Sequence, residues 1–171
     1  MQKQNKIQVM NAELIKKRRR NLRLSFRSFK GVTNRLEEIR IKNDVIFIND
    51  SKAQNVNATY FALDSIRKPV IWIAGGEDNG TDYWELMSLV RQKVETIIMI
   101  GEDNSRLIEF FAPVIKEIYE AENMETAVAL AYRLSEPGTS VLLSPACKPD
   151  MKYADYEDRG EQFKNAVLKR I

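Results

Sequence analysis

A short polar run that follows a stretch of β-branched residues carries several groups capable of chemistry. Residues 48–55 read INDSKAQN and offer a carboxylate, a hydroxyl, an ammonium and amides. Such groups at the start of a helix suit an anionic ligand, because the amino terminus of a helix attracts phosphate or carboxylate. Helix capping by Asp50 or Ser51 is the simpler interpretation. Capping requires neither Lys52 nor Asn55, so the run predicts either an anion site or a capped helix start.

Three further polar loops follow apolar runs in the sequence. They are Gly75-Gly76-Glu77-Asp78, Gly101-Glu102-Asp103-Asn104 and Ser144-Pro145-Ala146-Cys147. Glycine after a strand permits positive φ or the close approach of a ligand, although an ordinary turn explains each glycine equally well. The chain contains neither a GxGxxG nor a GxxxxGK[ST] sequence. It therefore predicts neither a dinucleotide fingerprint nor a complete phosphate loop.

The composition excludes several kinds of site. The chain has no histidine, and Cys147 is its only cysteine. No intrachain disulfide, Cys/His zinc site, Ser-His-Asp triad or Cys-His pair can form. We expect no metal ligands and no catalytic nucleophile, and any chemistry must rest on Lys, Arg, Asp, Glu and backbone groups.

The polar loops must be positioned by alternating strands and helices. Short apolar runs typical of buried parallel strands are VIFI at 45–48, VIWI at 70–73, IIMI at 97–100 and VLL at 141–143. Helical spacing predicts helices over Asn55–Ser65, Asp82–Lys93, Ser105–Phe111, Met124–Leu134 and Glu157–Arg170. Further strands are predicted near Glu117–Tyr119 and, antiparallel at the edge, near Glu38–Ile41. The alternation predicts an open, mostly parallel α/β sheet of about six strands, with four polar loops along one rim.

Charge divides the chain into two parts. Residues 1–30 hold ten Lys or Arg against Glu13 alone, a net +9, so the net +3 of the whole chain leaves −6 for residues 31–171. We predict a basic arm over 1–30, with a helix over Ala12–Phe29, and an α/β domain over 31–171. The block Lys16–Arg20 could attach to nucleic acid or anionic lipid. A solvated linker helix is the favoured interpretation, because no aromatic stacking pattern accompanies the block.

No apolar run reaches the roughly 18–20 residues that a membrane-spanning helix needs, and the amino terminus lacks a secretory signal. The sequence predicts a soluble, cytoplasmic protein without a membrane span and without a nucleic-acid partner.

A series of motifs in the α/β domain resembles the C-terminal domain of Mur ligases, most closely the D-glutamate-adding type. The motifs are, in order, Gly31-x-x-Asn34-Arg35-Leu36-Glu37, Asn49 through Asn55, Ala58-Thr59 with Ala62-Leu63, Gly75-Gly76-x-Asp78, Leu143 through Cys147, and Tyr156-Glu157-x-Arg159-Gly160-x-x-Phe163. The match extends from about residue 28 to the end. It implies a Rossmann-like sheet with helices on both faces.

The resemblance also implies a reaction. Members of the family have a precursor-binding domain, a P-loop ATPase domain and a third domain, like this one, for the incoming amino acid. ATP, with magnesium, phosphorylates the precursor's carboxylate, and the amine of the amino acid attacks the acyl phosphate. Carried over by position, Arg35 would contact the phosphates of ATP and Asp50 would contact its ribose. Lys52 would belong to the same active-site loop. Cations and carboxylates suit those tasks. The isolated chain is expected to hold no cofactor and to be inactive without the other domains.

The amino-acid pocket departs from the family pattern. Gln54, Asn79 and Pro149 stand where the family has threonine, lysine and serine, and Tyr156 replaces another aromatic residue. The family histidine before Arg35 is here an asparagine. Loss of the lysine removes a charged hydrogen bond worth on the order of 1.5–3 kcal/mol to a substrate carboxylate. We predict weak or absent binding of D-glutamate.

Two classes of function remain open from the sequence. The chain is either the amino-acid-binding part of a peptidoglycan-precursor ligase, acting with the missing domains or an upstream ligase protein, or a degenerate, non-catalytic paralogue that serves as a binding or regulatory module. Whether it is a separately encoded protein or part of a longer ligase is also left open, as is its amino-acid substrate.

Overall fold

The computed structural model describes residues 32–66, 69–78 and 80–170. The basic arm over 1–30 and Asn79 lie outside these residues. The boundary near residue 31, the arm helix and the role of the cationic block therefore stay predictions.

Six strands form one sheet in the order β1-β2-β6-β3-β4-β5. The strands are β1 Glu37–Lys42, β2 Val45–Asn49, β3 Val70–Ala74, β4 Val94–Met99, β5 Glu117–Glu120 and β6 Ser140–Leu143. All neighbours are parallel except β1, which pairs antiparallel with β2 at the edge. The predicted open, mostly parallel sheet, including its antiparallel edge strand, is confirmed.

A two-residue turn joins the edge strand to its neighbour. Lys42 pairs with Val45, and the two residues between them have φ angles of 52° and 61°. Asn43 and Asp44 suit this left-handed backbone, which a tight type I′ hairpin requires at both central positions. At the other end of the hairpin, Glu37 pairs with Asn49. The antiparallel strand thus begins at the edge of the sheet where the parallel strands end.

In the described residues four α-helices and one 3₁₀ turn connect the strands, and a fifth α-helix follows β6. The helices are α1 Val56–Ser65, α2 Met87–Lys93, α3 Ser105–Phe111, α4 Met124–Leu134 and α5 Tyr156–Arg170. The predicted single helix over 82–93 is wrong, because a 3₁₀ turn, Trp84–Leu86, precedes α2. The carboxylate of Asp82 accepts a hydrogen bond from Trp84 N at 3.0 Å and shapes this tighter start. None of the described helices is long and apolar enough to cross a membrane.

Strand β4 begins three residues earlier than its apolar run predicts. Glu95 is exposed between buried Val94 and Thr96, and the hydroxyl of Thr96 donates to Glu117 on β5 at 3.1 Å. Ile100 lies just beyond the strand, where its N–H donates to Ala74 O at 2.9 Å. The strand therefore extends before the run of consecutive apolar side chains, through an exposed Glu95 and a buried, hydrogen-bonded Thr96.

Helices cover both faces of the sheet, as predicted. Side chains of α1, α2 and α3 join one buried cluster, centred on Trp72, and those of α4 and α5 join the other. The indole of Trp72 meets Phe111 edge to face, with ring centroids 5.4 Å apart. Its Nε1 donates to Ser144 O at 2.7 Å, so the largest core side chain also anchors the loop after β6.

Glycine at position 160 lets α5 approach the end of β2. A Cβ at this position would overlap Asn34 Oδ1 and lie 3.1 Å from Asn49 Nδ2. Asn49 Nδ2 also donates to Asn34 Oδ1 at 2.8 Å. Helix α5, the turn before β1 and the end of β2 therefore meet at a point where no side chain fits.

The substitution Gly160→Ala should lower the free energy of unfolding by about 1–3 kcal/mol through overpacking, although alanine favours helix. Urea denaturation followed by circular dichroism would measure the change. Glu161→Ala, at the adjacent exposed position of α5, is the matched control and should have little effect. Because Asn34 is the obstructing side chain, Asn34→Gly combined with Gly160→Ala should cost less than the sum of the two single changes. Strict additivity would contradict this account.

Candidate functional site

The loop after β2 turns back on itself before α1 begins. Ala53 N donates to Asp50 O at 2.9 Å, and Ser51 N donates to Asn49 Oδ1 at 3.1 Å. The N-cap of α1 is Asn55, whose side chain accepts from Ala58 N at 2.9 Å. Capping by Asp50 or Ser51 is therefore wrong, because the turn places both residues ahead of the helix. Their side chains are free for other contacts.

The carboxyl group of Asp50 is buried at the rim of the sheet, with only 4% of the residue exposed. One oxygen accepts from Leu36 N at 3.2 Å and the other accepts from Ser144 Oγ at 2.9 Å. Burial raises the pKa of Asp50 to about 7, although the hydrogen bonds from Ser144 and Leu36 and the charge of Arg35 act in the opposite direction. An acid that titrates near neutrality is typical of functional sites.

Arg35 lies beside Asp50 because the chain bends sharply before β1. Asn34 and Leu36 have φ angles of 60° and 46°, in the left-handed region. Lys52 N donates to Asn34 O at 3.1 Å, which ties this bend to the loop after β2. The structure thus brings together Arg35, Asp50 and Lys52, the residues to which the family resemblance assigns nucleotide contact. Their contact with a nucleotide stays a prediction.

The exposed ammonium of Lys52 lies over the ring of Tyr156, 5.2 Å from its centroid. This is a cation–π contact. The hydroxyl of Tyr156 donates to Glu157 at 2.9 Å. Lys52 comes from the predicted nucleotide set and Tyr156 from the predicted amino-acid set, so the two sets meet at the start of α5.

Arg159 ties two rim loops together from inside the protein. Its guanidinium is fully buried and donates to Ser51 Oγ and Ser51 O, both at 3.0 Å, and to Cys147 O at 3.3 Å. Burial lowers the pKa of Arg159 to about 10, which leaves it charged at neutral pH. In the sequence this arginine is part of a motif and carries no predicted role of its own. Its helical spacing to the apolar Phe163 and Val167 indicated that it faces the core.

A cleft of about 470 Å³ opens between the loops after β3, β4 and β6. Its walls are formed by Gly76, Glu77, Asp78, Glu102, Asp103, Arg106, Pro149, Asp150 and Met151. Pro149, one of the predicted amino-acid positions, lines it, whereas Gln54 and Tyr156 do not. Gln54 is half-buried in the loop after β2, where its N–H donates to Lys52 O. The described part of the predicted pocket is therefore divided between the cleft and the start of α5.

The cleft is acidic, since five carboxylates face one guanidinium. Burial raises the pKa of Asp78, but hydrogen bonds from Thr81 and Tyr83 and the charge of Arg106 outweigh it and bring that pKa below its usual range. Hydrogen bonds from Ser105 lower the pKa of Asp103. Both groups carry charge at neutral pH, so the cleft opposes the binding of an anion.

The four loops lie along one rim, as predicted. Gly75 N donates to Pro145 O at 2.9 Å, and the backbone of Glu77 forms an antiparallel β-bridge with that of Lys148. Glu102 N donates to the carboxylate of Asp150 at 3.1 Å. Cys147 is buried. The described residues contain no group of three or more His, Cys, Asp or Glu side chains that could hold a metal ion.

Comparison with known proteins identifies close relatives. Residues 34–147 match the family model described as "Mur ligase, glutamate ligase domain". The chain is 46% identical over 158 residues to the UDP-N-acetylmuramoylalanine–D-glutamate ligase of Christiangramia forsetii, covering 92% of this chain and 36% of that protein. The same ligase of Porphyromonas gingivalis is 46% identical over 147 residues, covering 86% of this chain and 33% of that one. The chain thus spans about a third of the length of these relatives.

The fold also matches a solved structure. The MurF ligase of Thermotoga maritima, in complex with ADP, superposes with a TM-score of 0.52 at 17% identity, over 83% of this chain and 33% of that one. At this identity the comparison concerns the fold alone.

The substitution Asp50→Asn should stabilise the protein at neutral pH. The folded state keeps the proton of Asp50 up to about pH 7, whereas the unfolded chain releases it near pH 3.8. The wild-type free energy of unfolding should therefore fall as the pH rises from about 4 to 7, by on the order of 4 kcal/mol from this group. The variant should lose that fall and resemble the wild type at pH 4. Urea denaturation across this range tests the prediction, and a variant less stable than wild type at pH 8 would contradict it.

Proposed function

This chain belongs to the Mur ligase family, and we propose that it is the amino-acid-binding, ATP-contacting C-terminal domain of a peptidoglycan-precursor ligase of the D-glutamate-adding type. The observation that carries the proposal is the grouping of Arg35, Asp50 and Lys52 at one rim of a sheet with this fold. The curated relatives support it, since their names state a D-glutamate ligase activity and this chain corresponds to about a third of their length. Activity would then require the precursor-binding and ATPase domains, joined or separate, and a cytoplasmic location follows from the use of ATP.

The residues of the rim fit contact with a nucleotide. Lys52 is exposed and Arg35 is half-buried, so both cations can reach a phosphate that a neighbouring domain presents. The ionised carboxyl of Asp50 has unused lone pairs that could accept ribose hydroxyls. Bound ATP would supply the phosphoryl group that activates the precursor's carboxylate, with magnesium expected from the other domains. The part played by this chain is to stabilise charge on the transferring group and to orient the incoming amine.

The altered pocket argues for a changed amino-acid preference. Pro149 has neither a side-chain nor a backbone donor for a substrate carboxylate. The cleft that it lines carries a net negative charge, because it holds five carboxylates and one guanidinium. A dianionic amino acid would meet repulsion there. We propose that D-glutamate is a poor substrate and that an amino acid without a side-chain carboxylate is preferred.

A second candidate is a non-catalytic binding or regulatory module of the same family. The observation that favours it is the acidic cleft, whose five carboxylates suit a dianionic amino acid poorly. Under this alternative the nucleotide-contacting residues would persist without turnover.

Binding of D-glutamate to this chain should be weak, with a dissociation constant above the millimolar range. Isothermal titration calorimetry at pH 7.5 measures it. D-glutamine is the matched control ligand, because it has nearly the same shape without the side-chain charge. It should bind no more weakly than D-glutamate if repulsion in the cleft is the cause. Sub-millimolar binding of D-glutamate would overturn the prediction.

The two candidate functions are separated by restoring the missing domains. This chain would replace the final third of the Christiangramia forsetii ligase, and ADP release would be followed with UDP-N-acetylmuramoylalanine and a panel of amino acids. The ligase proposal expects turnover with at least one amino acid and a loss of at least tenfold on Arg35→Ala, by analogy with the removal of one transition-state donor. Turnover with no amino acid, while the original ligase remains active, would favour the non-catalytic module. The triple change Gln54→Thr, Asn79→Lys and Pro149→Ser should shift preference toward D-glutamate.

A further inference from the structure

One carboxyl group and two hydroxyl groups form a chain of hydrogen bonds beneath the rim. Asp50 follows β2, Ser144 follows β6 and Thr59 lies on α1, and the latter two residues are fully buried. Ser144 Oγ is 2.9 Å from Asp50 Oδ2 and 3.0 Å from Thr59 Oγ1. Thr59 Oγ1 is in turn 3.3 Å from Ser144 O, to which it donates. Three elements of the fold thus converge on a chain of exchangeable protons.

The single hydroxyl proton of Ser144 cannot serve both neighbours at once. When Asp50 is ionised it can only accept, so the proton of Ser144 must point to Asp50 Oδ2. The proton of Thr59 then points to the Ser144 carbonyl, which also accepts from Trp72 Nε1 at 2.7 Å. Every proton in the chain has an acceptor in this arrangement.

A second arrangement satisfies the same atoms when Asp50 is protonated. The carboxylic acid donates to Ser144 Oγ, the proton of Ser144 turns toward Thr59 Oγ1, and Thr59 continues to donate to Ser144 O. No heavy atom needs to move, because the Asp50–Ser144 distance suits donation in either direction, the Ser144–Thr59 distance suits donation from Ser144, and Thr59 donates to the Ser144 carbonyl in both states. The geometry therefore accommodates both protonation states without an unpaired buried hydroxyl.

We propose that Thr59, Ser144 and Asp50 form a buried hydrogen-bond relay in which the hydroxyl proton of Ser144 turns from Asp50 to Thr59 when Asp50 is protonated, and that Ser144 and Thr59 are positioning residues for this carboxyl group. The functional consequence rests on the proposed nucleotide contact of Asp50. Only the ionised form leaves both carboxyl oxygens as acceptors for a ribose. Closure of the ligase on its nucleotide would then be linked to release of a proton from this relay.

The charged groups around the relay agree with a proton that is shared near neutral pH. Burial raises the pKa of Asp50 to about 7, and Arg35, in the turn before β1, opposes that rise. Lys52 directs its ammonium to Tyr156. Glu37 on β1 accepts from Asn34 N at 3.0 Å and lies 3.9 Å from Lys164. The other neighbours of the relay are uncharged: Trp72 lies on β3, Ser144 directly follows β6 and Thr59 lies on the buried face of α1.

The relay predicts shifts of opposite sign for its two hydroxyls. Ser144→Ala removes the donor to the ionised carboxylate and should make Asp50 roughly tenfold weaker as an acid. Thr59→Val removes the acceptor that Ser144 needs when Asp50 is protonated and should make Asp50 several-fold stronger as an acid. Thr59→Ser keeps the hydroxyl and is the matched control, with no change expected. Carbon-13 NMR of the aspartate carboxyl groups in the full chain, titrated from pH 4 to 9, measures these shifts, and Asp50→Asn identifies the resonance.

Hydroxyls that only fill space would lower stability without moving the titration of Asp50 in opposite directions. Shifts of the same sign, or none, would overturn the relay. If Ser144→Ala does not fold, the comparison of Thr59→Val with Thr59→Ser decides alone, since only the former should alter the titration. Because the measurement needs no nucleotide, its failure would leave the proposed ligase function untouched. Equally, a fused ligase without turnover would leave the titration result intact.

Discussion

The rim of this domain depends on one buried cation. The guanidinium of Arg159 reaches from α5 into the space between the loops after β2 and β6, where it donates to Ser51 and Cys147. Among the described residues its hydrogen bonds go to carbonyl and hydroxyl oxygens and none goes to a carboxylate, and with the nearby charge of Asp150 they offset part of the loss of its hydration. Such a group tolerates little displacement. The positions of Ser51 and Cys147 are therefore set from beneath, by a residue that faces the core rather than a ligand.

This arrangement divides the rim into a fixed part and a variable part. The loop after β2 is held by Arg159, by the carboxyl contacts of Asp50 and by the close approach of α5 at Gly160. The cleft beyond Pro149 is lined largely by side chains of charged residues, and its loops are joined by contacts such as that of Glu102 N with Asp150 rather than by a buried guanidinium. Substitutions in the cleft can therefore change which ligand binds while the loop that carries Arg35 and Asp50 keeps its geometry. That division would let the motifs of the loop after β2 stand beside the pocket changes that the sequence predicts.

Periodicity in the sequence predicted most of the fold, because burial of alternating or helically spaced side chains is a local property. The apolar runs identified four strands, and the boundaries of α3 and α4 agree with those predicted. The prediction failed where a single polar contact decides the outcome. Asn55 caps α1 in place of Asp50, since a turn intervenes, and Asp82 replaces the first turn of a helix with a 3₁₀ turn. The role of Arg159 and the net charge of the cleft arise from contacts between distant segments, which sequence spacing does not encode.

The small turn at Asn43 and Asp44 gains an unexpected importance from the direction of β1. Because β1 runs against its neighbour, the turn at one end of the hairpin fixes which residues emerge at the opposite end, beside the loop of Asp50. A slip of one residue in this pairing would move the residues at the start of β1 by about 3.4 Å along the strand and turn their side chains to the other face of the sheet. Arg35 would then point away from the site. A surface turn at the opposite end of the hairpin therefore acts as a ruler, because its length sets which residues of the chain stand beside the loop of Asp50.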